Sequence, residues 1–562
     1  MQLLKLLFIS LFFVFAEAGT ITQNEIQSHL QKSLNTHLKG KNKSIVRYIY
    51  AQNGNRPLWV GTDQKHKMNR LIAALKDPLF NYKNLPLDQP SITRLFYMLD
   101  NHALHDSQKA KIYARLDLML TNSLVRLVRF IVEGDVDWEL VKKKMAGLQE
   151  SDDIIALWEI HPKTFTDQNG IASAVRSNDI YPYLTSLLPM EKRYKKLIKL
   201  LESYKVMENF PEIPYTKEPH KLGDRRRNSI ENIKKRLQIS GDYPKDAPIN
   251  TTFDETLQQA VISYQKRYNL KIDGTIDKVM TYYLNQPVSQ NIQAIITNLD
   301  KTKLYPKSFE KEHIEVNIPD FNLRYYENGK MKMKMNTVVG RIDRPTPIFS
   351  DEIEYMVLNP TWTITDNLVK RDLIPVLKEN PDYLTQNNII AYQGNKEVQV
   401  TYDMLSKYEK SNKNVPYRFV QQPGDTNALG RVKFMFPNKY SVYIHDTDNK
   451  SLLDKRYKIY SSGCMRIQRP FDLVEKLLKH TRGYTQSKID DILKSNKTTT
   501  ITLKRHVPVH TVYFTVYEED GLAYFKNDIY LYDKIIQESI YGSSKKTFSV
   551  ENKRIINMKK SN

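Results

Sequence analysis

At His313 the hydrophobic pattern changes period, and that change divides the chain into two kinds of structure. Before it, apolar residues recur at helical spacing: Ile112, Leu116, Met119 and Leu120, Leu127 and Val128, Ile131 and Val132. Gly134 ends that run, and residues 190–206 predict another helix. After it, Ile314, Val316 and Ile318 alternate with polar residues, as do Ile353, Tyr355 and Val357, and then Val432, Phe434 and Phe436. Asn328-Gly329 between two such runs is a hairpin signal. Met331, Met333 and Met335 share one face opposite Lys330, Lys332 and Lys334, the pattern of a core stripe rather than of a metal or redox site. At 562 residues the chain is too long for one ordinary domain. The expected fold class is therefore multidomain α+β: a mainly helical region at 19–215, and a mainly β domain at 305–535 followed by a basic tail at 536–562.

Between these lies a small unit at 222–286, after a linker marked by Pro211, Pro214 and Pro219. Ile230, Ile233 and Leu237 form a first helical stripe, and Leu257, Val261, Tyr264 and Tyr268 a second. Thr252-Phe253-Asp254-Glu255 has capping-box spacing, and Asp273-Gly274 turns the chain into a third short helix. The β pattern is interrupted once. Asn359-Pro360-Thr361-Trp362 leads into a partly helical insertion at about 366–420, which closes on the run Pro423 to Gly430. An insertion of this kind between two strands is a candidate lid over an active site.

A net charge of +22 points to nucleic acid or to an anionic envelope surface. No helix-turn-helix, zinc-finger or RNP-like spacing is present, which argues against nucleic acid. Lys5 precedes the apolar run Leu6 to Phe15, and Ala16-Glu17-Ala18 resembles a cleavage site. Residues 1–18 are thus expected to be a secretory signal peptide, too short to span a bilayer. No later segment is apolar enough to span, so an exported protein without a transmembrane segment is expected. The single cysteine excludes an intramolecular disulfide.

That cysteine stands in the most informative stretch. Val442 and Ile444 alternate with Tyr443 and His445, the pattern of a strand that leaves His445 at its end. Ser461-Ser462-Gly463-Cys464 follows after a loop, and Pro470 opens a helix carrying Phe471, Val474, Leu477 and Leu478. A free thiol has a pKa of about 8.5, and a neighbouring imidazolium lowers it. A histidine can also carry the proton to a leaving amine. Backbone N–H groups of Ser462, Gly463 and Cys464 can cradle an oxyanion. On residue types alone, a buried inert cysteine and a satisfied core histidine remain the alternative.

His445-Asp446-Thr447 followed by Ser461-Ser462-Gly463-Cys464-Met465-Arg466 resembles the signature of the L,D-transpeptidases with a YkuD-type catalytic domain. These are cysteine acyltransferases that cross-link peptidoglycan. Ser462 stands where the general pattern has histidine, as in the large periplasmic branch. The segment Ala114 to Thr121 resembles the helical scaffold of that branch. Phe253, Ala260-Val261, Tyr264-Gln265, Leu270 and Asp273-Gly274 resemble the peptidoglycan-binding type 1 domain. The resemblance implies Cys464 as nucleophile and His445 as its base, with His445 holding the thiol deprotonated. It implies an oxyanion hole at Ser462, Gly463 and Cys464, and an Asp446 carbonyl that fixes the tautomer of His445. Arg466 would orient a donor carboxylate or form a structural salt bridge; Trp362 would line the cleft or belong to the core. The implied partners are peptidoglycan stem peptides, a tetrapeptide donor and a diamino acid acceptor, with carbapenem-type inhibitors acylating the same thiol. The family needs no cofactor. His506 and His510 lack a carboxylate at zincin-like spacing, so no metal site is read there. Three alternatives stay open: an L,D-carboxypeptidase, a lipoprotein-attachment enzyme using the same thioester, and a wall-binding scaffold without catalysis.

Overall fold

The computed structural model describes residues 23–541, apart from 37, 39, 61–63, 100–103, 150–156, 208–211 and 227–228. The expected signal peptide lies outside the described residues, as does Pro211 and most of the expected basic tail.

Up to residue 205 the described chain is mainly helical. Its longest helix, Asp106–Val132, buries residues on nearly every side, because shorter helices pack around it. Asp117, in the middle of this helix, sets the local architecture. Its carboxylate accepts N–H bonds from Leu58, Trp59 and Val60 (2.9, 2.7 and 3.1 Å) and a hydroxyl bond from Tyr50 (2.6 Å). A buried carboxylate is tolerated only when so many donors converge on it. Gly134, with φ +77°, follows the helix as expected. The helix Glu191–Lys205 follows the periodicity of its sequence.

The small unit has three helices, Ser229–Ile239, Glu255–Arg267 and Lys278–Leu284. One detail differs from expectation. The middle helix is capped by Asp254, whose carboxylate accepts the Leu257 N–H at 2.8 Å, and not by Thr252. Asp254 is an equally good cap and lies two residues closer to the apolar run. The helix ends at Arg267, which is buried against Asp242 and the carbonyl of Ala523 and so ties this unit to the β domain.

The β domain opens with β1 (His313–Asn317), β2 (Asn322–Glu327), β3 (Lys330–Gly340) and β4 (Ser350–Leu358). The insertion adds β5 (Trp362–Thr363), β6 (Ile389–Gln393), β7 (Lys396–Val398) and β8 (Arg418–Gln421). β9 (Val432–Met435), β10 (Ile444–His445), β11 (Ile459–Ser461), β12 (Met465–Ile467) and β13 (Thr499–Val512) complete the main sheet, and a hairpin of β14 (Val516–Glu519) and β15 (Leu522–Phe525) follows. The nine-stranded sheet runs β11-β3-β12-β10-β9-β4-β13-β1-β2, and β3 also pairs with β2, so the sheet curls round and closes on itself. Closure removes the open edges that a long sheet would otherwise present.

Asn328 and Gly329 both have positive φ, as the two-residue turn between β2 and β3 requires. Of the methionine stripe, Met333 and Met335 are buried while Met331 is exposed near the turn. In β4 the expected face does not run through. Ile353 is in the core, but Met356 and Leu358 follow it there, and Val357 lies opposite. The register of β13 against β4 shifts between Thr502 and Val507, which flips the alternation. Residues 536–541, expected in the tail, belong to the helix Tyr532–Tyr541, where Ile536 is fully buried.

The insertion has its own four-stranded sheet, β5-β8-β6-β7, and its own core around Ile374, Leu377, Leu405 and Phe419. Its ends are clamped by Asn427, whose buried amide donates to the carbonyls of Pro360 (3.1 Å) and Gln422 (2.9 Å). Among the described residues no helix is long and apolar enough to cross a membrane.

Candidate active site

β10 and β12 lie side by side and parallel, with Ile444 opposite Met465 and His445 opposite Arg466. Ile444 and Met465 point into the core, both fully buried. Alternation then puts Tyr443, His445, Cys464 and Arg466 on the other face. The stretch before His445 is less regular than its alternation predicts: only Ile444 and His445 pair as strand. Likewise, Cys464 does not run straight into a helix. The short strand β12 intervenes, and the helix Pro470–Leu478 follows with proline in its first turn.

The turn 461–464 is held from inside. The Ser461 hydroxyl donates to the Cys464 carbonyl (2.5 Å) and accepts the Gly463 N–H (3.2 Å). The Thr346 hydroxyl donates to the Gly463 carbonyl (2.8 Å). Gly463 has φ +114°, and a Cβ there would stand 3.3 Å from Val442 Cγ1. The position thus requires glycine. Of the three N–H groups expected to cradle an oxyanion, that of Gly463 is given to Ser461. The Ser462 hydroxyl accepts from Arg344 Nη1 at 2.9 Å.

Tyr443 is the neighbour of the thiol. Its hydroxyl feels both Cys464 and Trp362, which is half-buried at the root of the insertion. The rings of Tyr443 and His445 meet edge to face at 5.6 Å. His445 is buried, and its Nδ1 has no hydrogen-bond partner. The Asp446 backbone favours the protonated ring but does not reach it with hydrogen-bond geometry. The Asp446 side chain looks elsewhere. It accepts the Arg431 N–H (2.9 Å), pairs with Lys450, and leaves no room for a Cβ on Gly430.

Burial dominates the electrostatics. It pushes the Cys464 thiol up to about 11, although the Tyr443 backbone and the positive charges of Arg466 and Lys433 pull it down. It pushes the His445 imidazole down to about 3, and the same cations add to that shift. Thiol and imidazole are therefore both neutral near pH 7. These directions run against a thiolate held by His445: burial disfavours each charged form by more than the nearby cations return, although Cys464 itself is only half-buried.

Arg466 forms no salt bridge among the described residues, and its Nε is buried without a partner. A structural salt bridge is thus not its role here; Asp448 acts on it only through the field. Lys433 was not singled out by the sequence pattern. It lies on β9 directly opposite His445, with its ammonium 5.7 Å from the Tyr443 ring, and no carboxylate among the described residues pairs with it. Its only signal was a polar position in an alternating strand. His506 and His510, four apart on β13, are separately engaged, with Glu352 (2.9 Å) and with Ser350 and Glu310 (both 2.8 Å).

The chain is similar to known proteins in three regions. A family model for the YkuD-type L,D-transpeptidase catalytic domain matches residues 311–489, a scaffold-domain model matches 44–201, and a putative peptidoglycan-binding domain matches 226–281. A relative from Haemophilus influenzae described as a putative L,D-transpeptidase is 32% identical over 264 residues, covering 47% of this chain and 52% of that protein. The chain thus spans about half the length of that curated relative. A solved L,D-transpeptidase from Xylanimonas cellulosilytica is similar at 12% identity and a TM-score of 0.17, over 53% of this chain and 100% of that one. Another, from Stackebrandtia nassauensis, is similar at 11% identity and a TM-score of 0.20, over 54% and 96%. The chain carries an L,D-transpeptidase catalytic domain of the YkuD type, together with a peptidoglycan-binding domain and a scaffold domain.

Proposed function

We propose that the protein is an exported, periplasmic L,D-transpeptidase that joins peptidoglycan stem peptides by 3→3 cross-links through a thioester on Cys464. The observation that carries this reading is the grouping of Cys464, His445, Tyr443 and Arg466 on one face of the sheet, beside a glycine turn. In this mechanism Cys464 Sγ attacks the carbonyl of the third residue of a tetrapeptide donor. His445 removes the thiol proton as the S–C bond forms, because neither group is charged beforehand. The oxyanion is met by the N–H groups of Ser462 and Cys464, with the Tyr443 hydroxyl at hand. The C–N bond breaks, and the terminal D-alanine departs with the proton from His445. An amine of an acceptor diamino acid then attacks the thioester, gives a proton back through His445 and releases the thiol. Lys433 and Arg466, both without a carboxylate partner among the described residues, hold the donor's carboxylates. The insertion acts as a lid over this cleft. The three-helix unit aligns glycan strands, and the reaction needs no cofactor.

Intact-protein mass spectrometry after incubation with a carbapenem tests the reading. An adduct on the wild type but not on Cys464→Ala is expected. Analysis of muropeptide products then identifies the acceptor. Release of free tripeptide, or transfer to a lipoprotein lysine, would replace cross-linking with another fate of the same thioester. An adduct on Cys464→Ala would remove Cys464 as the nucleophile.

A further inference from the structure

The loop between β3 and β4 meets both the insertion and the turn that carries Cys464. It is built to be rigid. The Arg344 N–H donates to the Arg341 carbonyl (3.0 Å), and the Gly340 N–H donates to the Thr346 hydroxyl (2.9 Å). A Cβ on Gly340 would stand 2.2 Å from the Arg344 carbonyl oxygen, so only glycine fits. The loop also grips the catalytic turn, with the Arg341 N–H on the Ser461 carbonyl (3.0 Å) and Thr346 on the Gly463 carbonyl.

From this loop the Arg344 side chain, only 11% exposed, reaches the insertion. Its Nη1 and Nη2 donate to the two oxygens of Asp372 at 2.8 and 3.1 Å. The neighbouring pair runs the other way: Arg371 Nη2 donates to Asp343 at 3.3 Å. Two consecutive Asp-Arg and Arg-Asp pairs thus cross. The fork-to-fork geometry gives the Arg344–Asp372 pair more definition than an ordinary surface ion pair has. Nη1 of the same guanidinium also donates to the Ser462 hydroxyl at 2.9 Å. In the insertion, Arg371 and Asp372 lie in a widened helical turn, Val369–Leu373, of the π type. Pro375 lacks the N–H that would bond the Arg371 carbonyl in an α-helix, which accounts for the widening.

We propose that Arg344 is a positioning residue that makes seating of the insertion and ordering of the nucleophile turn a single event. With Asp372 in its fork, the guanidinium is aimed at Ser462, and Ser462 is held beside Cys464. When Asp372 leaves, the guanidinium loses its orientation and the turn loses an anchor. This rests on the reading of Cys464 as an acyl-transfer nucleophile, but the coupling itself is a property of the contacts.

The test is a double-mutant cycle on the full chain with Asp372→Ala, Ser462→Ala and the double variant, with Arg344→Lys alongside. Three readouts are taken: hydrogen exchange of residues 366–379, the rate of Cys464 acylation by a carbapenem, and the rate of Cys464 alkylation by iodoacetamide. Asp372→Ala is expected to speed exchange and to slow acylation about tenfold, the scale on which remote misplacement acts. Ser462→Ala is expected to slow acylation similarly while leaving exchange of 366–379 unchanged. The double variant is expected to lose little more than either single one. Arg344→Lys should behave like Asp372→Ala, because one ammonium cannot bridge both partners. Additive losses, or faster exchange with unaltered acylation and alkylation, would overturn the proposal. If the wild type takes up no carbapenem, the transpeptidase reading fails. The alkylation and exchange rates then still decide the coupling.

Discussion

His445 and Arg466 stand opposite one another on neighbouring parallel strands, and Lys433 faces His445 from the other side. The candidate base is thus flanked by two cations in one row of the sheet. Burial is the main reason this imidazole resists protonation, and the charges of that row add to it.

The first prediction concerns pH. With the thiol pushed up to about 11 and the imidazole down to about 3, neither titrates near neutrality. Thiolate absorbance in the ultraviolet should be absent between pH of about 5 and 9, and acylation by a carbapenem should lack the rise near the ordinary histidine pKa. The stability sign follows from the same shift. As pH falls through the ordinary histidine range, the unfolded chain binds a proton that folded His445 refuses, so stability drops towards pH of about 3. Replacing His445 with asparagine should remove that part of the acid sensitivity in a denaturation series.

Lys433→Met keeps length and removes charge. If Lys433 holds a donor carboxylate, KM for a tetrapeptide donor should rise about tenfold, as loss of a charge-assisted bond predicts. Alkylation of Cys464 by neutral iodoacetamide should change far less. Equal effects on both would mean that Lys433 acts on the thiol instead.

Gly463→Ala forces a side chain onto a backbone with φ +114° and against Val442. The strain should amount to about 1–3 kcal/mol. It should appear both as a lower melting temperature and as loss of acylation, since the turn must shift to relieve it.

Asp117→Ala leaves the N–H groups of Leu58, Trp59 and Val60 without their acceptor in a dry interior. A loss on the order of 4 kcal/mol is expected in chemical denaturation. Asp117→Asn, which keeps one carbonyl oxygen, should lose less.

The turn that carries Cys464 stands out in the sequence because it brings rare residues to close spacing: one cysteine, a glycine beside it, and His445 at the end of an alternating run. Lys433 was not legible. Its alternation with Val432 and Phe434 says only that it faces away from the core; that it faces His445 is a matter of register between distant segments. The same limit explains β4, where alternation places Ile353 in the core but an irregularity in β13 reverses the faces beyond it. Thr252 and Asp254 stand two positions apart, and sequence spacing alone suits either as the cap. Ile535 and Ile536 pack a helix that the basic composition around it concealed. The crossed pairs at Asp343-Arg344 and Arg371-Asp372 are ordinary surface charges until the fold brings them together.

Oxidants attack thiolates far faster than thiols. The chain has no second cysteine with which an oxidised Cys464 could form a rescuing disulfide within the molecule. Burial raises the Cys464 thiol, and a sulfur held protonated in this way is a slow target for peroxide.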